Sequence, residues 1–243
     1  MPIPTSAMLQ TPTPNAKSRA IEMISHWIIE GSLEAGEKIR DIDIAHALGV
    51  SRMPVREALQ ALETIGFIET EPNRGTHVSS LRVDDIYALY KTIARLETLG
   101  LEEAMNPVRS QTIEELYMLN HRYQQTLNQS NIHAMFDAGR AFHQRLVYSD
   151  GNRFCQQALA PLVKTAARYE YPYRSTAQPV GQESVIEHRM ILEALVQHNI
   201  TRAQEILTQS WLHTATMIQS WYAALAAKDT VSPHSTPDHE EDS

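Results

Sequence analysis

Five of the nine glycines in this 243-residue chain fall between Gly31 and Gly75, and only Gly100, Gly139, Gly151 and Gly181 follow. Glycine ends helices and allows tight turns, so the first stretch must be built from short elements and the second from long ones. Proline marks the ends: four of the twelve lie in the first 14 residues and two in the last eleven. Neither Thr11-Pro12-Thr13-Pro14 nor the acidic run Ser232 to Ser243 carries periodic apolar residues. A disordered arm over 1–15 and a disordered acidic tail over 228–243 are expected, flanking folded parts at 16–80 and 81–227.

In the first part, Ile21, Ile24 and Ile28 recur at helical spacing and Gly31 stops the run. Asp41 can cap a short helix carrying Ile44 and Leu48 that ends at Gly49; Ser51 can cap a third whose buried stripe is Val55, Ala58, Leu59 and Leu62. Two helices joined through a glycine turn form a helix-turn-helix, and Pro54 is tolerated in the first turn of the second. Residues 67–71 and 76–80 alternate like strands around Pro72-Asn73-Arg74-Gly75, which makes a wing. Beyond Ser80 the pattern is helical throughout. Asp84 or Asp85 should cap a helix with Ile86, Leu89, Ile93, Leu96 and Leu99 along one side, followed by helices over 113–127, 134–148, 153–169, 184–198 and 202–222. The fold class is mainly α: an N-terminal winged helix-turn-helix with a small β-hairpin wing, then an all-α helical bundle.

Charge first argues against a nucleic-acid partner, since 21 Lys and Arg face 29 Asp and Glu, a net −8. Residues 1–80 hold seven basic and ten acidic side chains, so any DNA contact must come from a local cluster. One exists. With Val55 and Leu59 turned inward, Arg52, Met53, Arg56 and Gln60 share the exposed side of the third helix near its N-terminus. Arg matches guanine O6 and N7, Gln matches adenine, and a helix N-terminus with the Ser51 hydroxyl suits a phosphate. Arg74 with Gly75 at the wing tip, and Lys38 or Arg40 before the second helix, can hold flanking backbone. The competing reading pairs Arg52 and Arg56 with Glu57 and Glu63 as a solvated face.

Gly36-Glu37-Lys38-Ile39, Asp43-Ile44-Ala45, Val50-Ser51-Arg52-Met53-Pro54-Val55-Arg56-Glu57-Ala58-Leu59-Gln60 and Gly75-Thr76-His77-Val78 resemble the reader head of the GntR family of bacterial transcription regulators. The second half resembles the all-helical effector domain of its FadR branch (FCD type). The residues that carry this likeness are 85–90, Arg95-Leu96-Glu97, Phe142-His143, Gly151-Asn152 and 187–195. The resemblance implies a dimeric repressor or activator whose helical domain senses a small-molecule effector, often a carboxylate. A repressor is expected and, because one small head buries too little to be specific alone, a homodimer on a double-stranded operator with an inverted repeat. Many members of that branch hold a divalent metal on four side chains, and the matching places here are Gly139, His143, His188 and Ser210. An arginine that the branch often points at the effector is Ile93 here, with Arg95 close by. Expected effector contacts are therefore Arg95, His143, His188, Ser210 and His213. A metal is disfavoured, its weak candidates being His143, His188 and His213, the last about 60° around the helix from Ser210. Asp137 lies about 120° off the face of His143. Tyr169, Tyr171 and Tyr173 are expected in a packed loop.

A lone Cys155 excludes an internal disulfide and a zinc-finger cysteine set. The start lacks the pattern of a secretory signal, and the apolar run 221–227 is far short of the roughly 20 residues that span a bilayer, so a cytoplasmic protein without a membrane partner is expected. No Ser/His/Asp order, phosphate-cradling glycine loop or His-Glu-x-x-His pattern is present, so no enzyme is expected. The alternatives are a metal-dependent enzyme or a purely structural helical dimer in which the N-terminal part is accessory.

Overall fold

The computed structural model describes residues 15–105, 107–127, 131–148, 152–176 and 181–230. The terminal segments 1–14 and 231–243, expected to be disordered, lie outside the described residues. The rest falls into two compact units that divide between Leu81 and Arg82.

In the first unit α1 (Ala16–Glu30) starts at Asn15, whose Oδ1 accepts the Ser18 N–H at 2.9 Å, and buries Ala20, Ile24 and Ile28. Helix α2 (Asp41–Leu48) stops at Gly49, where φ is 65°. The turn back is tied by the Val50 N–H to the Ala45 carbonyl at 3.0 Å, and α3 (Arg52–Thr64) follows. Val55, Ala58, Leu59 and Leu62 of α3 pack with Ile24 of α1 and with Phe67, which has no exposed surface. The wing has one strand more than expected. Strand β1 (Lys38–Ile39) joins β2 (Ile68–Glu71) and β3 (Gly75–Val78) in an antiparallel sheet ordered β1-β3-β2, with Ile39 opposite Thr76 and Glu71 opposite Gly75. A two-residue strand has no period to read, so only its pairing reveals it.

The second unit holds α4 (Asp85–Ala104), α5 (Ser110–Leu127), α6 (Ile132–Val147), α7 (Arg153–Thr176), α8 (Gln182–Val196) and α9 (Ile200–Thr230). Helix α4 packs against α6, α7 and α9, while α5 packs against α6 and α8. Two boundaries differ most from expectation. Helix α7 runs past Tyr169 to Thr176 with Pro161 and Pro172 inside it, so Tyr169, Tyr171 and Tyr173 are helical and not in a loop. Helix α9 reaches Thr230, which makes 228–230 helix rather than tail. The inner face of α4 also differs: Ile86, Tyr90, Ile93, Glu97 and Leu101 are buried, whereas Leu99 is 44% exposed.

Gly100 lets α4 and α6 meet. A Cβ there would lie 2.6 Å from the Val147 carbonyl oxygen, and backbone cannot step aside as a side chain can. Gly100→Val should cost the unit about 2–3 kcal/mol through overpacking, seen as a lower urea midpoint at unchanged slope. An unchanged midpoint would show that the two helices are free to part.

Candidate functional site

The head presents α3 as expected: Val55, Ala58, Leu59 and Leu62 are buried, while Ser51, Arg52, Met53, Arg56 and Gln60 are exposed and Pro54 is half-buried. Ser51 occupies the N-cap position with extended backbone, but its side chain makes no cap bond. The hydroxyl and the first α3 N–H groups are thus open to an outside acceptor such as phosphate.

Asp41 is not the cap of α2 but its first residue; Arg40 holds the cap position, without a side-chain bond. The freed carboxylate reaches across to α3. Arg52 Nη2 donates to Oδ1 at 2.9 Å and to Oδ2 at 3.0 Å, and Arg56 Nε donates to Oδ2 at 2.6 Å. The Arg56 hydrogen bond, opposed by desolvation and helped by Arg52, holds Asp41 below the usual carboxylate range. The pairing with Glu57 and Glu63 is not made: Glu57 lies 3.9 Å from Lys17 Nζ, and Glu63 Oε1 accepts the Thr70 N–H at 3.1 Å. One carboxylate therefore restrains two guanidiniums, and among the described residues Arg56 keeps both Nη groups free of protein bonds. That end of the fork is the one that matches a guanine edge.

At the wing tip Asn73 and Gly75 take left-handed φ values of 68° and 89°. Arg74 is exposed there with Nη1 on Glu71 Oε2 at 2.7 Å. Lys38 lies over Gly75, where a Cβ would meet Lys38 Cε at 3.3 Å, and Arg40 Nε is 3.6 Å from Asp43 Oδ2.

In the helical unit, polar groups converge inside an otherwise apolar core. Glu97, 2% exposed, accepts His143 Nδ1 at 2.8 Å and Trp211 Nε1 at 2.7 Å on the same Oε2. Burial alone would lower the His143 pKa, but the Glu97 charge and hydrogen bond, aided by Glu170, outweigh it, and the imidazole is raised above its ordinary value. His188 goes the other way. Burial, with the His143 and Arg174 charges, holds it well below its ordinary value and keeps it neutral. Its Nδ1 meets Asn120 Oδ1 at 3.0 Å and its ring stacks on Phe142 with centroids 3.8 Å apart. The two histidine rings stand 5.3 Å apart, edge to face. Beside them Glu170 takes the Tyr90 hydroxyl on Oε1 at 2.9 Å and Arg174 Nε on Oε2 at 3.2 Å.

Three expected contacts do not join this cluster. Arg95 is exposed on the outer side of α4, because Ile93, Ala94 and Glu97 take the inner side. Ser210 is buried but donates its hydroxyl to Glu187. His213 is exposed and pairs with Glu183 at 2.9 Å. Asp137, also on the surface, pairs with Arg140.

These positions decide whether the branch's metal fits. Gly139 offers no donor, and a Cβ there would point 3.4 Å from the Tyr123 ring, so an aromatic fills the space of the absent carboxylate. Ser210 and His213 are committed elsewhere, which leaves only His143 and His188 of the expected set as donors. Among the described residues no third His, Cys, Asp or Glu groups with them at ligand spacing. The residues do not fit a divalent site, which needs three or four ligands. Elemental analysis after dialysis should find no stoichiometric metal; one ion per subunit, lost in His188→Ala, would contradict this.

Glu97 was named only as part of the Arg95-Leu96-Glu97 likeness and Arg174 not at all, and neither was expected in the site. Glu97 had a signal: it follows Ile93 by four positions on the buried stripe of α4. Arg174 had none, since it lies beyond the apparent end of its helix.

Residues 16–78 match the model of the bacterial regulatory proteins of the gntR family, and residues 88–212 match the FCD domain. An uncharacterized HTH-type transcriptional regulator of Bacillus subtilis, YdhC, is 26% identical over 196 residues, covering 78% of this chain and 85% of its own. The Nta operon transcriptional regulator of Aminobacter aminovorans is 33% identical over 114 residues, 46% of this chain and 53% of its own. Among solved structures, E. coli McbR/YncC superposes with a TM-score of 0.69 at 20% identity, over 88% of this chain and 98% of its own. A GntR transcriptional regulator from Rhodococcus sp. RHA1 gives 0.68 at 21%, over 84% and 97%. These likenesses show the fold. Among the described residues no helix is long and apolar enough to cross a membrane. The FCD match alone spans half of the sequence, and with the head match before it the chain belongs to the GntR family of bacterial transcription regulators, with a winged DNA-binding head and an FCD domain.

Proposed function

We propose that the protein is an operator-specific repressor that binds an inverted repeat as a homodimer and responds to a small effector in its helical unit. The observation that carries this reading is the exposed face of α3, where Ser51, Arg52, Met53, Pro54, Arg56 and Gln60 line the N-terminal turns and the Arg56 fork is left open. Arg56 and Gln60 read base edges, Arg52 and Ser51 meet the base edge or the adjoining phosphate, and Arg40, Arg74 and Gly75 hold the flanking backbone. A single small head with few basic residues buries too little DNA to be specific alone, which calls for two copies on one site. His143 and His188 are the effector contacts retained from the expected set.

The experiment is site selection from random duplexes, followed by footprinting and light scattering of the complex. A selected inverted repeat, two protected half-sites and a dimer mass support the reading. A monomer both free and on DNA would overturn the dimer, and selection without any enriched sequence would overturn specificity.

A further inference from the structure

Asp41 opens α2 but directs its carboxylate to α3. It meets two guanidiniums along their Nε edges: Arg52 donates from Nε at 3.3 Å and from Nη2 at 2.9 and 3.0 Å, and Arg56 donates from Nε at 2.6 Å. Among the described residues, Arg52 Nη1 and both Nη groups of Arg56 have no protein partner. The Asp41 side chain is 19% exposed, against 52% for Arg52 and 58% for Arg56, so the anion is the sheltered member of the trio. The fold does not require this arrangement. Helix α2 has a second acid in its first turn, Asp43, to complement the helix end, and ion pairs this exposed contribute little to folding.

What the clasp changes is where the two arginines can go. An unrestrained arginine on a helix against DNA reaches the nearest phosphate, which adds affinity but no sequence information. Reading a base edge needs the fork held in one orientation before the DNA arrives. The carboxylate supplies both conditions, since it competes with phosphate for two cations and fixes their stems while leaving the outer ends open. We propose that Asp41 is a positioning residue that sets operator specificity: it withholds Arg52 and Arg56 from the phosphate backbone and keeps their Nη ends ready for base edges. In a head whose first 80 residues hold seven basic and ten acidic side chains, this trades attraction to any DNA for discrimination between sequences. The proposal rests on α3 being the reader, and it names the residue that makes that reader selective.

The test titrates the full-length protein with the selected operator and with a scrambled duplex over a range of salt concentrations. Asp41→Asn removes the charge and keeps the shape. Asp43→Asn is the control: it makes the same change at the same helix end, where the carboxylate lies 3.6 Å from Arg40 Nε. Asp41→Asn should bind scrambled DNA about tenfold more tightly at low salt, with a log–log salt slope steeper by about one to two, because the freed arginines neutralise further phosphates. Its preference for operator over scrambled DNA should fall about tenfold or more. Asp43→Asn should tighten both duplexes alike and leave the preference as it is, since a backbone contact carries no sequence information. An unchanged salt slope in Asp41→Asn, a preference that survives it, or an equal loss in Asp43→Asn would each overturn the proposal. Loss of all DNA binding with a lower urea midpoint would make the carboxylate structural and overturn it too. The two readings fail separately. If Arg52→Ala/Arg56→Ala abolishes the preference while Asp41→Asn keeps it, α3 remains the reader and the positioning role falls; if neither variant alters it, the α3 reading itself falls.

Discussion

Glu97→Ala should destabilise the helical unit by about 3 kcal/mol, the low end of the cost of breaking a buried ion pair. The low end applies because His143 is a fifth exposed and can shed its proton once its partner is gone. The loss is shared, since Glu97 Oε2 also accepts the Trp211 indole N–H. Its pH dependence has a definite sign. The His143 pKa is raised in the folded protein, the net of burial lowering it and of Glu97 and Glu170 raising it, with Arg174 opposing. The neighbouring ring of His188, kept neutral, adds no charge. A raised histidine contributes stability that is fully present below its unfolded value of about 6.5 and is lost as pH rises through the folded value. The gap between the native protein and Glu97→Ala in urea titration should therefore be larger at about pH 6 than at about pH 9. A gap that is the same at both, or larger at the alkaline end, would show that the pair does not carry the charge assigned to it.

The second large effect concerns DNA. Removing both Arg52 and Arg56 should cost operator affinity about 2–6 kcal/mol, two base-edge contacts at roughly 1–3 each. Both side chains are more than half exposed, so the fold should not suffer. Asp41 gains nothing from the change: it loses both cationic partners, and its carboxylate, 19% exposed, then faces the DNA unneutralised. The double variant should for that reason fall below the sum of the two singles, a coupling expected when residues share one partner.

Reading the sequence reached the architecture because its signals were local. Glycine stops at Gly31 and Gly49, and the apolar stripe of α3, are decided within one or two helical turns. The exposed face of that helix followed from the same stripe. What escaped depends on partners distant in the chain. Strand β1 exists only by pairing with β3, and the Asp41 clasp joins residues separated by a whole helix and turn. In the helical unit the positions of His143 and His188 were legible, but not what surrounds them. Tyr123 filling the space beside Gly139, and Arg174 carried inward on a helix that continues through Pro172, are facts of packing between helices. Arg95 and His213 were misplaced for a related reason: spacing gives an angle around a helix, while the neighbours decide which angle faces inward.

The most direct measurement is equilibrium binding at one fixed salt concentration of the native protein and the Arg52→Ala/Arg56→Ala variant, each to the selected operator and to a scrambled duplex. With α3 as the reader, the native protein should prefer the operator by about a thousandfold or more, and the variant should lose most of that preference while keeping much of its affinity for scrambled DNA. A variant that retains the native ratio would contradict the account, because sequence would then be read by some other surface.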